Sequence, residues 1–219
     1  MTRTEHRAGR RAGDVWPLIH AERAALAADL AGLDDGRWAT PSLCAGLSVR
    51  EVLAHVASGA GLRPLRWLAG VIRCRFDFDK QVAMRLAEQL GDSGAETLER
   101  FERVITSTTS TLLPAVAMLG EVVVHGEDIR RPLGLRRAHP VTTLTPLARY
   151  YAGPNILVPG KERIAGLRVA AADGPFAAGS GPLVTGSTLA LVMVMAGRPA
   201  YLDELDGDGV DTLRARLVS

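Results

Sequence analysis

The chain has 219 residues, 47% of them hydrophobic, with 26 Lys and Arg against 24 Asp and Glu and a formal net charge of +2. That length can bury a sizeable core as one large domain or two small ones, and so small a charge gives no argument for nucleic acid as a partner. The longest apolar run, residues 188–196, falls well short of the roughly 20 residues that span a bilayer, and the start lacks a signal-peptide apolar stretch, so the expectation is a cytoplasmic globular protein without a membrane partner.

Residues 1–13 carry Arg3, His6, Arg7, Arg10 and Arg11 ahead of any apolar periodicity and read as a disordered basic tail. From 14 to 33, Val15, Leu18, Ile19, Leu26, Leu30 and Leu33 follow a helical period. Residues 38–42 break it. Ser48-Val49-Arg50-Glu51 then matches a capping box, with Leu47 and Val52 as its hydrophobic staple, which places His55 two turns into a second helix on the side of Val52 and Val56.

Helical stretches are expected at 65–75 and 79–90, the latter ended by Gly91. A second capping box, Ser93-Gly94-Ala95-Glu96, opens a helix carrying Leu98, Phe101, Val104 and Ile105 toward the core. Pro114 suits a helix N1 position and Pro132 discourages continuation, so 114–131 reads as a helix, with the β-branched run Val122-Val123-Val124 arguing for a strand instead. On the helical reading Glu121 and His125 project from one face, and with His55 from a packed neighbour they form a trio able to hold a divalent metal with one coordination position open. Each member also has a plainer reading: His55 as a hydrogen-bonded core histidine, Glu121 and His125 as an i,i+4 surface pair.

After Gly134 the texture changes to recurrent Pro and Gly. A domain boundary is placed near 138–145, giving a helical domain over 14–138 and a small α+β domain over 139–219. Short β-like segments are expected around 164–172, a buried helix over 188–196 ended by Gly197, a strand near 201–205, a turn at Gly207-Asp208-Gly209, and a closing helix over 210–217. Cys44 and Cys74 form neither a disulfide framework nor a Cys-x-x-Cys pair, which suits a reducing compartment. Cys44 reads as a small buried residue. Asp128 reads either as an acceptor orienting the His125 imidazole or as a partner of Arg131, and Arg130 and Arg131 suit the helix C-terminus through its dipole.

The stretch from Pro41-Ser42-Leu43-Cys44-Ala45-Gly46-Leu47 through Ser48 and Glu51 to His55 resembles the N-terminal signature of the mycothiol-dependent maleylpyruvate isomerase family, within the wider DinB-like superfamily. Gly120-Glu121 through His125-Gly126-Glu127-Asp128-Ile129-Arg130-Arg131-Pro132-Leu133-Gly134 forms a second match, followed by a similar Gly197-Arg198 and Gly207-Asp208-Gly209 texture. The resemblance implies an α+β chain: a DinB-like four-helix bundle followed by a small sterol-carrier-like domain. It further implies a divalent metal, usually zinc, on His55, Glu121 and His125, and an arginine from the C-terminal domain at the site, for which Arg198 is the candidate. Leu47 stands where many relatives have Trp.

What the resemblance implies about activity is a metal-dependent enzyme with mycothiol as thiol cosubstrate, acting as an isomerase or an S-transferase on a small electrophile whose carboxylate Arg198 would pair with. The alternative is a non-catalytic binding module stabilised by its metal. Glu-x-x-His repeats of di-iron bundles and the zincin His-Glu-x-x-His are both absent from the chain.

Overall fold

Four helices close a ring around one apolar core. In the computed structural model, which describes residues 14–62, 64–75, 77–110, 113–153 and 158–218, α1 (Trp16–Leu30) is followed by the short α2 (Asp35–Trp38), then α3 (Val49–Gly61), α4 (Pro64–Arg73), α5 (Phe78–Gln89), α6 (Gly94–Glu102) and α7 (Ala115–Arg130). Helix α3 packs on α7, α7 on α1, α1 on α6 and α6 on α3, with α5 laid against α3 from outside. Leu26, Leu30, Trp38, Val52, Leu53, Val56, Phe101 and Ile129 fill the space between them. The basic tail expected over 1–13 lies outside the described residues.

Local chemistry explains where these helices start. Ser48 and Glu51 make the full reciprocal capping box of α3, so both exposed amides at that end are satisfied. The second box is only half formed: Ser93 Oγ accepts from the Glu96 amide at 3.1 Å, while Glu96 Oε2 reaches past Ser93 to the Asp92 amide at 2.8 Å. Pro114 is the N-cap of α7 rather than its first residue. Valines 122–124 are helical despite their β-branching, because all three are buried in the core, and that burial outweighs a modest propensity deficit.

Beyond residue 138 come α8 (Val141–Tyr151), α9 (Gly160–Arg163), β1 (Arg168–Ala171), β2 (Ala177–Gly179), β3 (Leu183–Gly186), α10 (Thr188–Met195), a 3₁₀ turn (Pro199–Glu204), β4 (Leu205–Asp206) and α11 (Val210–Val218). The sheet order is β2-β1-β3-β4, with β1 and β3 parallel and both outer pairs antiparallel. The fold is thus α+β with a helical N-terminal part. No helix of the described residues is long and apolar enough to cross a membrane.

Two elements differ from the sequence expectation. Helix α8 forms through a proline-containing stretch that carries no predicted element: Pro140 is its N-cap and Pro146 sits inside it, tolerated because Leu144, Leu147, Ala148 and Tyr151 are buried where α8 packs on α10 and α7. The strand expected at 201–205 is mostly the 3₁₀ turn, started by Pro199 with its fixed φ, and only Leu205 and Asp206 pair with β3. A single apolar cluster joins Ile19 of α1 and Met118, Val122 and Val123 of α7 to Leu147, Val169, Val184 and Leu191.

A buried polar network crosses the same seam. The His139 ring has no solvent exposure; its Nε2 lies 2.9 Å from Glu127 Oε1, and its Nδ1 makes an ion-pair contact with Glu22 Oε2 at 3.0 Å. Arg137 Nε donates to Glu22 Oε2 at 2.8 Å, and the Tyr201 hydroxyl donates to Glu127 Oε2 at 2.8 Å. Burial opposes ionisation of Glu22, but His139 and Arg137 outweigh it and hold the carboxyl down to about 2. Burial also favours the neutral His139 ring, and the two carboxylates outweigh that and raise its pKa. A depressed Glu22 stabilises fully above about pH 4.5 and loses that contribution as the pH falls toward 2. A raised His139 stabilises fully below about pH 6.5 and loses it as the pH rises through its elevated value. Chemical denaturation across pH is expected to show both limbs. Glu22→Gln is expected to flatten the acid limb by up to about 1.4 kcal/mol per pH unit; an acid limb of unchanged slope would mean that another group carries the linkage.

Candidate metal centre

His55 projects from the middle of α3 and Glu121 and His125 from the middle of α7, and the packing of these two helices brings the three side chains together. His55 Nε2 is 3.6 Å from Glu121 Oε2, and His125 Nε2 is 3.7 Å from the same oxygen. The imidazole rings meet edge to face, 5.0 Å between centroids at 82°. One donor atom from each residue lies within 4.8 Å of the other two. Each side chain keeps partial exposure, 30% for His55, 36% for Glu121 and 16% for His125, so the donors line a recess open to solvent. Burial resists ionisation of Glu121, but His55, then His125 and Arg198, overcome it and hold its carboxyl below the usual range.

Behind His125 stands a fully buried carboxylate. Asp128 Oδ2 lies 2.9 Å from His125 Nδ1, a contact that assigns the proton to Nδ1 and turns the Nε2 lone pair toward Glu121 and His55. Arg198 grips the same carboxylate with two prongs, Nε to Oδ1 at 3.0 Å and Nη2 to Oδ2 at 2.6 Å. Burial opposes the Asp128 charge, yet His125 and Arg198 hold its pKa to about 2. Of the two readings of Asp128 from sequence, the structure selects the one that orients His125; Arg131 instead pairs with Glu204 and lies over the Tyr201 ring.

Arg198 arrives through a helix stop. Gly197 takes φ +87°, and the amides of Gly197 and Arg198 bond back to the carbonyls of Val194 (3.0 Å) and Met193 (2.9 Å). That is the Schellman pattern with glycine at the left-handed position, and it turns Arg198 away from the α10 axis toward α7. Its Nη1 donates to Ala196 O at 2.7 Å, and its Nη2 lies 3.6 Å from Cys44 Sγ. The guanidinium is therefore placed beside His125 through Asp128, with one Nη1 N–H left over from its five donors.

Two participants escape the sequence reading. The loop 42–47 docks on α7 by the Leu43 amide bonding to Asp128 O at 3.0 Å, and this carries Cys44 Sγ to 3.1 Å from Asp128 Oδ2 and 3.4 Å from His125 Nδ1. Burial, then the Asp128 charge, pushes the Cys44 thiol up to about 12, in keeping with its place as a donor to Asp128. Tyr151 of α8 approaches α7 so closely that a Cβ at Gly120 would collide with its hydroxyl, and burial together with Glu121 raises its phenol pKa. A helix placed over 141–151 was the missing signal for Tyr151, and nothing in the spacing of Cys44 points to Asp128.

Asp128→Asn keeps the shape and removes the charge that orients His125. It is expected to weaken divalent metal binding about 10- to 100-fold, measured by competition with a chromophoric chelator; unchanged affinity would show that Asp128 does not support the His125 lone pair.

Residues 19–115 match the family model described as the mycothiol maleylpyruvate isomerase N-terminal domain, a span that includes His55 and ends before Glu121. Comparison with curated protein sequences returns no match. Among solved structures, the chain is similar to a histidine-to-alanine mutant of the mycothiol-dependent maleylpyruvate isomerase, at 16% identity and TM-score 0.60. It is also similar to a second crystal structure of that isomerase, at 14% identity and TM-score 0.52, with 88% of this chain and 91% of the other covered in each case. Residues 19–115 thus carry the mycothiol maleylpyruvate isomerase N-terminal domain match, and along most of its length the chain shares the fold of that isomerase.

Proposed function

We propose that this chain is a cytoplasmic metal-dependent enzyme that uses mycothiol as thiol cosubstrate against a small electrophile, isomerising it or becoming attached to it. The observation that carries this reading is the convergence of His55, Glu121 and His125 donors within 4.8 Å, two imidazole nitrogens and one carboxylate, a set suited to zinc with a position left free. A divalent cation held there supplies Lewis acidity, lowering the pKa of a thiol docked beside it. In this division of labour residues 14–138 provide the metal-binding bundle and 139–219 a small α+β domain that delivers Arg198. The two free thiols, Cys44 and Cys74, support a reducing compartment.

The chain's own residues set the rest. Asp128 fixes the His125 tautomer, and Arg198 keeps Asp128 ionised. Cys44 remains protonated, so the attacking sulfur comes from the small thiol. The remaining N–H of Arg198 is available to a substrate carboxylate, and Tyr151 forms an apolar, weakly acidic wall beside Glu121. In the isomerising route sulfur adds to an activated alkene carbon, the resulting single bond rotates, and loss of sulfur restores both alkene and thiol. In the transfer route the new carbon–sulfur bond is kept.

Purified protein is expected to carry about one divalent metal per chain and to turn over maleylpyruvate, or members of an electrophile panel, only with mycothiol present. His125→Ala is expected to lose both metal and thiol-dependent turnover. Full turnover after chelation would reject the mechanism, and metal-tight protein that activates no thiol yet unfolds on chelation would establish the metal-stabilised binding module instead.

A further inference from the structure

A second concavity lies around the C-terminal end of α7, a cavity of about 660 Å³ lined by Glu127, Arg131, Leu135, Arg136, Arg137 and Tyr201 among others. That volume is typical of small-molecule sites, roughly 300–1,000 Å³. It is not the metal centre, since none of His55, Glu121, His125, Asp128 or Arg198 lines it.

Its charges resolve pair by pair. Glu127 is compensated by His139 and Arg130 and accepts from Tyr201. Arg137 is taken by Glu22, and Arg131 by Glu204 while stacking on Tyr201. Arg136 has no hydrogen-bond or ion-pair partner among the described residues and is exposed at the cavity. Arginines near a helix C-terminus ordinarily serve the terminal carbonyls, but that role is already filled here. Gly134, with φ +68°, and Leu135 bond back to Arg131 O (3.1 Å) and Arg130 O (3.0 Å), and Arg37 Nη2 donates to Leu133 O at 2.6 Å. What remains is an uncommitted guanidinium beside two others, with the Leu135 and Leu189 side chains and the Tyr201 ring as apolar surface.

We propose that this cavity binds a small molecule bearing an oxyanion head group, phosphate or carboxylate, with Arg136 as its ion partner. Guanidinium suits both anions through its forked donors. Calorimetric titration of the full chain with inorganic phosphate and with succinate tests it, on the wild type, Arg136→Glu, Leu189→Trp and His125→Ala. Saturable binding of at least one probe is expected, weakened about ten-fold or more by Arg136→Glu, blocked by Leu189→Trp, and retained by His125→Ala. Tighter binding of phosphate assigns phosphorylated ligands, and tighter binding of succinate assigns carboxylic acids. Arg136 is exposed, so its variant is expected to fold and decides the question even where Leu189→Trp does not. No saturable binding of either probe, binding that survives Arg136→Glu, or binding lost in His125→Ala would overturn the proposal.

Discussion

The Asp128 carboxylate is the constraint around which the candidate site is built. It has no solvent exposure, and it receives His125 Nδ1, the Cys44 thiol and two nitrogens of Arg198. Those partners come from α7 itself, from the loop before α3, and from the turn after α10, elements spread over more than 150 residues of sequence. A buried carboxylate without partners is costly; with four donor groups from three residues it becomes the point where three segments must agree. The imidazole of His125 inherits its direction from that agreement, and through it so does the arrangement of donors toward Glu121 and His55.

Fixing Asp128 also divides the protonation states of its neighbours. The same burial that suppresses the charge on Cys44 is overcome at Asp128 by a guanidinium and an imidazole. A thiol and a carboxylate 3.1 Å apart thereby hold one proton and one negative charge between them, with the proton on sulfur. The chain thus keeps its own sulfur protonated beside the recess that His55, Glu121 and His125 line.

Much of this was legible in the residues, for identifiable reasons. The capping box at Ser48 and the Glu121–His125 spacing are local rules, and local rules survive folding: the helix starts where the box places it, and the pair shares a face. The ring of helices followed from apolar periodicity, and the resemblance carried by residues 41–55 and 120–134 joined His55 to the pair. What stayed hidden depended on tertiary partners. Helix α8 runs through Pro146 because its apolar side is covered, a fact no window of sequence contains, and with α8 unplaced Tyr151 had no position. Strands β2 and β3 are three and four residues long, too short to show alternation. Cys44 reads as an ordinary small residue until Asp128 is set opposite it.

The apolar cluster that runs from Ile19 to Leu213 bears on motion. A seam filled by Met118, Val122, Leu147 and Leu191 offers no plane along which one half can swing against the other, and close-packed interiors yield little to sliding. Arg198 is accordingly held in register with His125 by the packed body as well as by Asp128. Anything that enters the recess meets a packed body and a rim where the loop 42–47 is held to α7 through a main-chain bond at Leu43. The enzyme proposed here is in that sense preassembled, its geometry settled when the chain folds and not when a ligand arrives.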